Sequence, residues 1–542
     1  MVLKFKFKYK SSNKTYVNIL HSFIENYECK YKVLQDLDNV YLLVEAKEQV
    51  LEEVSNNLSK YLPMSIYYEG LEVDVVKSMP DLESTKADNQ ALNSFCPKCL
   101  DQVESKLDSN YYNAFKFCKV CKTFESAIFL LDKKEEHSSK ELFERLAKLI
   151  NENKRIKIKT VSGTFIFKKL DSIDMAKELL CTNLQNISNL VVEDKQSIVA
   201  LASIEKPKIS FRINEIYKMK EKLSKDYIDI RVANDLTLYL LSKELEKYDI
   251  NFLEVYAENS DFDTFLDVKS DDIFNIDIPK IKYCENQKLV LESNSYAKNL
   301  DVVYNRFEEK NKAQFMTVLS ENFLFEKSIL NFYLSTKEDD RFTFYSEELN
   351  GFVDISTKYT LPKSMSDLYE EIKKSESGEK LLENYKQKFP AEYNNSLSYD
   401  LESLDKKSFL TYFKVAKEVL GFEKDIITNA QECYLEKGPR VDFKMIDNEK
   451  LYLREFNYVS MFKTAMSFKL AGVDEVTLSL GFIDSLASFL ASEVDNINDL
   501  YEVEGISLCG DMFTYDIFTK LVLNNITKNY KIYFNREFVI DK

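Results

Sequence analysis

The chain has 542 residues, 45% of them apolar, and carries 74 basic against 90 acidic side chains, for a net charge of −16. That length predicts roughly three to five domains with buried cores. The acidic balance argues against nucleic-acid binding, which needs a basic face, and the lack of an 18-residue apolar run argues against an ordinary transmembrane helix.

At the N-terminus, Leu3, Phe5, Phe7 and Tyr9 alternate with Lys4, Lys6, Lys8 and Lys10. This is a strand pattern, not a signal peptide, so a cytoplasmic protein with reduced cysteines is expected. A helix over Tyr16–Tyr27 and an alternating segment over Val33–Val44 follow. Val50, Leu51, Val54, Leu58, Tyr61 and Leu62 then mark one helical face. A strand over Met64–Val76 completes a β-α-β-β-α-β order, which predicts a ferredoxin-like sheet. Residues 78–93, with Pro80, Ser84 and Asn89, read as a linker.

Next comes the strongest chemical signal. Cys96-Pro97-Lys98-Cys99 is followed, eighteen residues on, by Cys118-Lys119-Val120-Cys121. Two such pairs supply four thiolates in a tetrahedron, which suits a closed, structural zinc site. Disulfides or a redox pair, and an iron–sulfur cluster, are the alternatives. Lys98, Lys116, Lys119 and Lys122 would offset the charge of a four-thiolate zinc site. Cys29, Cys181, Cys284, Cys433 and Cys509 are scattered and read as buried small residues.

A helix over Lys140–Asn151 leads to paired strands, Ile156–Val161 and Thr164–Phe167, about the turn Ser162-Gly163. Asp235–Tyr248 reads as an amphipathic helix. Beyond residue 290 the chain is more helical, with candidates at Leu368–Lys386, Phe409–Leu420 and Phe482–Val494. Two scarcities bear on chemistry. Only ten glycines occur, too few for several phosphate-cradling loops, and no histidine follows His137.

The order of an acylphosphatase-like unit followed by knuckles eighteen residues apart resembles the HypF family. These are the carbamoyltransferases that help make the cyanide ligands of [NiFe]-hydrogenase, and the HydE-type HypF-like proteins of some hydrogenase operons are the nearest kind. The resemblance implies an α+β, multi-domain fold: an acylphosphatase-like domain (1–80), a four-cysteine zinc module (90–127), a YrdC-like α/β domain (138–290) and a degenerate TsaD-like domain of the actin/hexokinase ATPase type (291–542). It also implies hydrogenase subunits or Hyp-type maturation proteins as partners, no nucleic acid and no membrane insertion.

Several family motifs depart here from their pattern. The anion-gripping loop falls on Lys8–Tyr16, without glycine or arginine, and the water-positioning asparagine falls on Gln35. Lys10 and Lys14 read as solvated charges. Tyr111 and Phe115 keep the family's aromatics and read as packing over the knuckles. The arginine pair falls on Ser109 and Asn110, and a Gly-Pro-Arg on Lys122-Thr123-Phe124. The YrdC-like lysine-and-glycine turn resembles Lys159-Thr160-Val161-Ser162-Gly163, so the resemblance points to Lys159 and Gly163 as remnants of nucleotide binding. A Ser-Gly-Asn element appears as Ala257-Glu258-Asn259, and a basic cluster as Lys177-Glu178-Leu179-Leu180.

In the last region, Leu508-Cys509-Gly510-Asp511-Met512-Phe513 resembles Leu-Ser-Gly-Gly-Val-Phe. Gly510 is kept, but Asp511 puts a negative charge where phosphates would lie. The resemblance thus implies structural zinc on Cys96, Cys99, Cys118 and Cys121, makes ATP doubtful, and identifies no catalytic residue. Three functions follow as expectations: a maturation accessory with lost or reduced carbamoyl transfer, an active diverged carbamoyltransferase, or an unrelated zinc-stabilised interaction scaffold.

Overall fold

The computed structural model describes residues 1–88, 94–121, 127–270, 276–285, 288–293, 298–355, 357–404, 406–448, 453–526 and 529–542. It forms two compact units, Met1–Leu289 with Ser293–Tyr296, and Val290–Glu292 with Ala297–Lys542.

In the first unit, the alternation of Val2–Tyr9 makes a strand that buries Phe5, Phe7 and Tyr9 and turns its lysines to the other face. It pairs antiparallel with Asn39–Glu45 on one side and Tyr68–Val76 on the other, with Lys30–Gln35 beyond. Helices Thr15–Ile24 and Glu48–Tyr61 complete the ferredoxin-like order, the second burying Leu51, Val54 and Leu58. The linker expected at 78–93 is not a loose tether over its described part. Thr85 N–H donates to the Val33 carbonyl at 2.7 Å, Val33 N–H to Ser84 Oγ at 3.0 Å, and Gln35 N–H to Thr85 Oγ1 at 3.1 Å. Its small polar residues thus satisfy the outer edge of Lys30–Gln35, which would otherwise be an unpaired ladder.

A larger mixed sheet follows. Its strands run in the order Lys280–Glu285, Lys208–Arg212, Tyr227–Val232, Glu178–Cys181, Phe252–Ala257, Gly163–Lys169, Ile156–Thr160, Thr264–Lys269, Ile128–Leu131 and Lys134–Glu136. Helices Lys140–Asn151 and Leu236–Glu246 pack on it, each capped by an oxygen of the preceding residue, Ser139 or Asp235. Apolar residues of the small sheet, the cysteine segment and this sheet share one core. Between the sheets, Glu205 is buried, accepting from Ser65 Oγ at 2.6 Å and Ile66 N–H at 3.1 Å.

The second unit has a five-stranded sheet in the order Gly351–Ile355, Arg341–Ser346, Ile329–Tyr333, Gly505–Cys509, Lys531–Tyr533. The first three pair antiparallel and the last three in parallel. The helix expected over Leu368–Lys386 is two, Met365–Lys373 and Glu376–Lys388. Ser375 caps the second by accepting from Gly378 N–H at 3.2 Å, and a Cβ on Gly378 would lie 1.8 Å from the Ile372 carbonyl oxygen. Phe482–Val494 lies within a longer helix, Glu475–Tyr501. That helix is long and apolar enough to cross a membrane, yet its apolar side chains from Leu478 to Ile497 are largely buried inside the unit, as in a core helix.

Candidate metal centre

The two Cys-x-x-Cys pairs are built differently. Cys96 is the N-cap of helix Pro97–Glu104, where Pro97 costs no hydrogen bond and Cys99 sits in the first turn. Cys118–Cys121 lies in a turn. All four side chains are buried, and their sulfurs lie within 4.8 Å of one another. Cys96 Sγ is 3.7 Å from Cys99 Sγ and 3.9 Å from Cys118 Sγ, and Cys99 Sγ is 3.8 Å from Cys121 Sγ. A tetrahedron with zinc–sulfur bonds of about 2.3 Å needs edges of about 3.8 Å, whereas a disulfide needs sulfurs at about 2.05 Å. The cluster can hold a metal ion.

Charge supports the same reading. The hydrogen bond with Cys121 holds the Cys118 thiol below its ordinary range, and the one with Cys118 pushes Cys121 above it. Binding a divalent cation there would require the thiols to lose their protons. Of the four expected lysines, Lys116 faces the site. It is buried, lies 3.7 Å from Cys99 Sγ, and also donates to Gln102 Oε1. Lys98 is exposed, Lys119 is exposed and 3.8 Å from Glu25, and Lys122 lies outside the described residues.

Phe115 packs on Phe129 at 4.4 Å and Tyr111 on Tyr112 at 4.8 Å, as packing residues should. The segment is tied to helix Leu236–Glu246, where Tyr112 O–H donates to Glu244 and Lys243 Nζ to Glu104 Oε1 at 2.6 Å. Its exit strand, Ile128–Leu131, joins the large sheet beside Thr264–Lys269. Of the scattered cysteines, Cys181 and Cys509 are buried and burial pushes each thiol up to about 12, while Cys29 and Cys433 are only part-buried. Nothing is described of the Cys284 side chain.

The other singled-out residues are not gathered into a site. Lys159 and Gly163 share one hairpin, and Gly510 belongs to the second unit. Lys159 Nζ donates to the Val268 carbonyl at 3.0 Å and lies 3.4 Å from Asp267. The turn between Lys159 and Gly163 is held internally: Val161 N–H donates to Asp235 Oδ2 at 3.1 Å, and Asn234 Nδ2 to Ser162 Oγ at 2.7 Å. Gly510, at φ +97°, is required sterically, since a Cβ there would lie 2.1 Å from the Leu334 carbonyl oxygen.

Three further places bring the chain's own polar or acidic groups against its donors and cations. In the loop after the first strand, Gln35 Nε2 donates to the carbonyls of Ser11 and Asn13, each at 3.0 Å, and Lys14 Nζ donates to Gln35 Oε1 at 2.6 Å. Lys10 pairs with Glu69. Lys10 and Lys14 are thus engaged within the protein, rather than merely solvated.

On the large sheet, Glu178 lies 2.6 Å from Arg231 Nε and 2.8 Å from Lys208 Nζ. Arg231 is fully buried, with its guanidinium 4.3 Å from the Phe165 ring centre.

In the second unit, four successive backbone N–H groups converge on side-chain oxygens. Ser335 donates to Asp340 Oδ1 at 2.9 Å, Thr336 to Asp511 Oδ1 at 2.6 Å, and Lys337 and Glu338 to Ser335 Oγ at 3.1 and 3.2 Å. Thr336 Oγ1 also donates to Asp511, and Lys337 Nζ is 3.5 Å from it. Sequence reading anticipated a charge at Asp511 but not this loop. Its only signal is the polar run Ser335–Asp340 directly after an apolar strand.

No family model matches the chain. Protein HydE of Wolinella succinogenes is 24% identical to it over 521 residues, covering 92% of each. The crystal structure of full-length HypF in the phosphate- and nucleotide-bound form matches 100% of this chain and 96% of that one, with TM-score 0.61 and 11% identity. The structure of T. kodakarensis HypF matches with the same coverage and identity and TM-score 0.65. The whole chain has the HypF fold, in a diverged sequence.

Proposed function

We propose that this HypF-like chain is a [NiFe]-hydrogenase maturation or assembly accessory protein that holds structural zinc on Cys96, Cys99, Cys118 and Cys121 and has lost or reduced carbamoyl transfer. The boundaries 1–80, 90–127, 138–290 and 291–542 serve as its acylphosphatase-like, zinc, YrdC-like and TsaD-like parts. Hydrogenase subunits or Hyp-type proteins are its partners, and the cytoplasm its location.

The observation that carries this reading is a contrast. The four thiols that the resemblance assigns to a metal are together and buried. Where the resemblance assigns a phosphate grip, acidic side chains of the chain itself stand beside its donors and cations. Asp511 takes Thr336 N–H and O–H, and Glu178 neutralises Arg231 and Lys208. Displacing a carboxylate from two donors and replacing it with phosphate gains little, because one anion is exchanged for another. Lys159 and Gly163, and Gly510 with its neighbours, are accordingly scaffold remnants.

The test is affinity purification of the tagged protein from cells making hydrogenase. We expect hydrogenase subunits or Hyp-type proteins in stoichiometric amount, and no carbamoyl-phosphate-dependent ATP turnover by the purified material. Robust turnover would replace this reading with an active, diverged carbamoyltransferase. Recovery without hydrogenase components would remove the maturation role.

A further inference from the structure

Strand Tyr68–Val76 is nine residues long and forms one edge of the small sheet. Its register sets Leu71 opposite Phe7, Val73 opposite Phe5 and Val75 opposite Leu3. These residues therefore share the face that buries Phe5 and Phe7, yet Leu71 is 43% exposed, Val73 50% and Val75 67%. A long edge with alternate exposed apolar side chains and no lysine or proline is a template for another strand. The opposite edge, Lys30–Gln35, is sealed by Ser84 and Thr85. Among the described residues, one edge is blunted and no strand pairs with the other.

We infer that the outer edge of Tyr68–Val76 takes an additional β-strand from a partner protein, a segment that alternates lysine or arginine with apolar residues. The molecule itself shows which chemistry fits. The inner neighbour, Val2–Tyr9, places Lys4 opposite Asp74 and Lys6 opposite Glu72, with apolar residues opposite Leu71, Val73 and Val75. Lys6 and Lys8 both reach Glu72, at 3.0 and 2.6 Å. Lys4 instead lies over the Tyr41 ring, 5.0 Å from its centre, and Asp74 remains exposed beside the open edge.

An incoming strand of the same alternation would lay its apolar side chains on the exposed stripe and a cation beside Asp74. A second copy of this chain fits less well. Antiparallel self-pairing about Val73 would set the Glu72 of each copy against the Asp74 of the other, placing like charges opposite one another. The net charge of −16 favours a basic partner for the same reason. This surface does not depend on whether carbamoyl chemistry survives.

The experiment uses the full-length, metal-loaded protein and a fluorescent, end-capped peptide of alternating lysine and valine, followed by anisotropy. Saturable binding that weakens with salt is expected, with no binding of the matching glutamate–valine peptide. Val73→Lys and Asp74→Lys should each weaken binding by about tenfold or more. Val192→Lys, at an exposed apolar residue elsewhere, should leave it unchanged. Unchanged circular dichroism and metal content would show that the variants are folded, since all three side chains are exposed. Equal binding of the glutamate peptide, or indifference to Val73→Lys, would overturn the proposal. So would a dimer in sedimentation that Val73→Lys abolishes, because the second copy would then be the occupant.

Discussion

Cys118→Ser is expected to release the zinc proposed for the four-cysteine cluster and to loosen the segment around it. A serine hydroxyl is a poor zinc ligand at neutral pH, so one of the four bonds is lost outright. Structural zinc contributes about 10–16 kcal/mol to the folding of small sites, enough that the loss reaches beyond the cluster. Three buried thiols would remain around the Lys116 ammonium, at 3.7 Å from Cys99 Sγ, without the zinc ion proposed to organise them. The exit hairpin, Ile128–Leu131 with Lys134–Glu136, loses its fixed start although its pairing with Thr264–Lys269 remains. Metal analysis should fall from about one zinc per chain to almost none. Amide exchange should accelerate across 94–121 and less so across 128–136, while Gly505–Cys509 in the second unit stays protected. Full retention of zinc in this variant would show that the cluster is not the site.

The second large effect is expected at Glu178→Ala. Arg231 is fully buried, and Glu178 is its only ion-pair partner among the described residues. Burial pulls the Arg231 guanidinium below its ordinary pKa, and the charge of Glu178 opposes that shift. Removing the carboxylate leaves the buried charge without its ion-pair partner and with only the weaker influence of Asp235, a change that costs about 3–5 kcal/mol. Arg231→Met should cost less, because it removes the buried charge and leaves Glu178 paired with Lys208 at 2.8 Å. Denaturant unfolding of the first unit reads both. Losses of similar, small size would mean that Glu178 is not the internal counter-ion of Arg231.

What was legible in the sequence was local or periodic. Cysteine spacing identified the four residues that come together as a candidate metal cluster, because a knuckle is set by four consecutive residues. The alternation of Leu3–Tyr9 gave a strand, and the apolar stripe of Lys140–Asn151 gave a helix with the same ends. Periodicity failed where a break was short. The stripe over Leu368–Lys386 reads straight through the Lys374–Ser375 joint, which a serine cap and Gly378 make. It also failed where polar residues conceal a helix end, as in the Asp and Asn residues closing Glu475–Tyr501.

The donor-filling pairs were not legible. Gln35 meets the carbonyls of Ser11 and Asn13, Glu178 meets Arg231, and Asp511 meets Thr336 across 175 residues. Each depends on strand order and register. Glycines and arginines missing from the sequence mark where it departs from the resemblance, and only the structure places the oxygens found there.

We propose that the HypF-like scaffold and its four-cysteine cluster persist while Asp511, Asp340 and Ser335, which accept from the backbone of Ser335–Glu338, close that loop to nucleotide. The most direct measurement is an equilibrium titration of the native, zinc-containing protein with Mg-ATP. No saturable binding is predicted up to millimolar nucleotide. Saturable binding at micromolar concentration, weakened by substitutions in that loop, would contradict the claim.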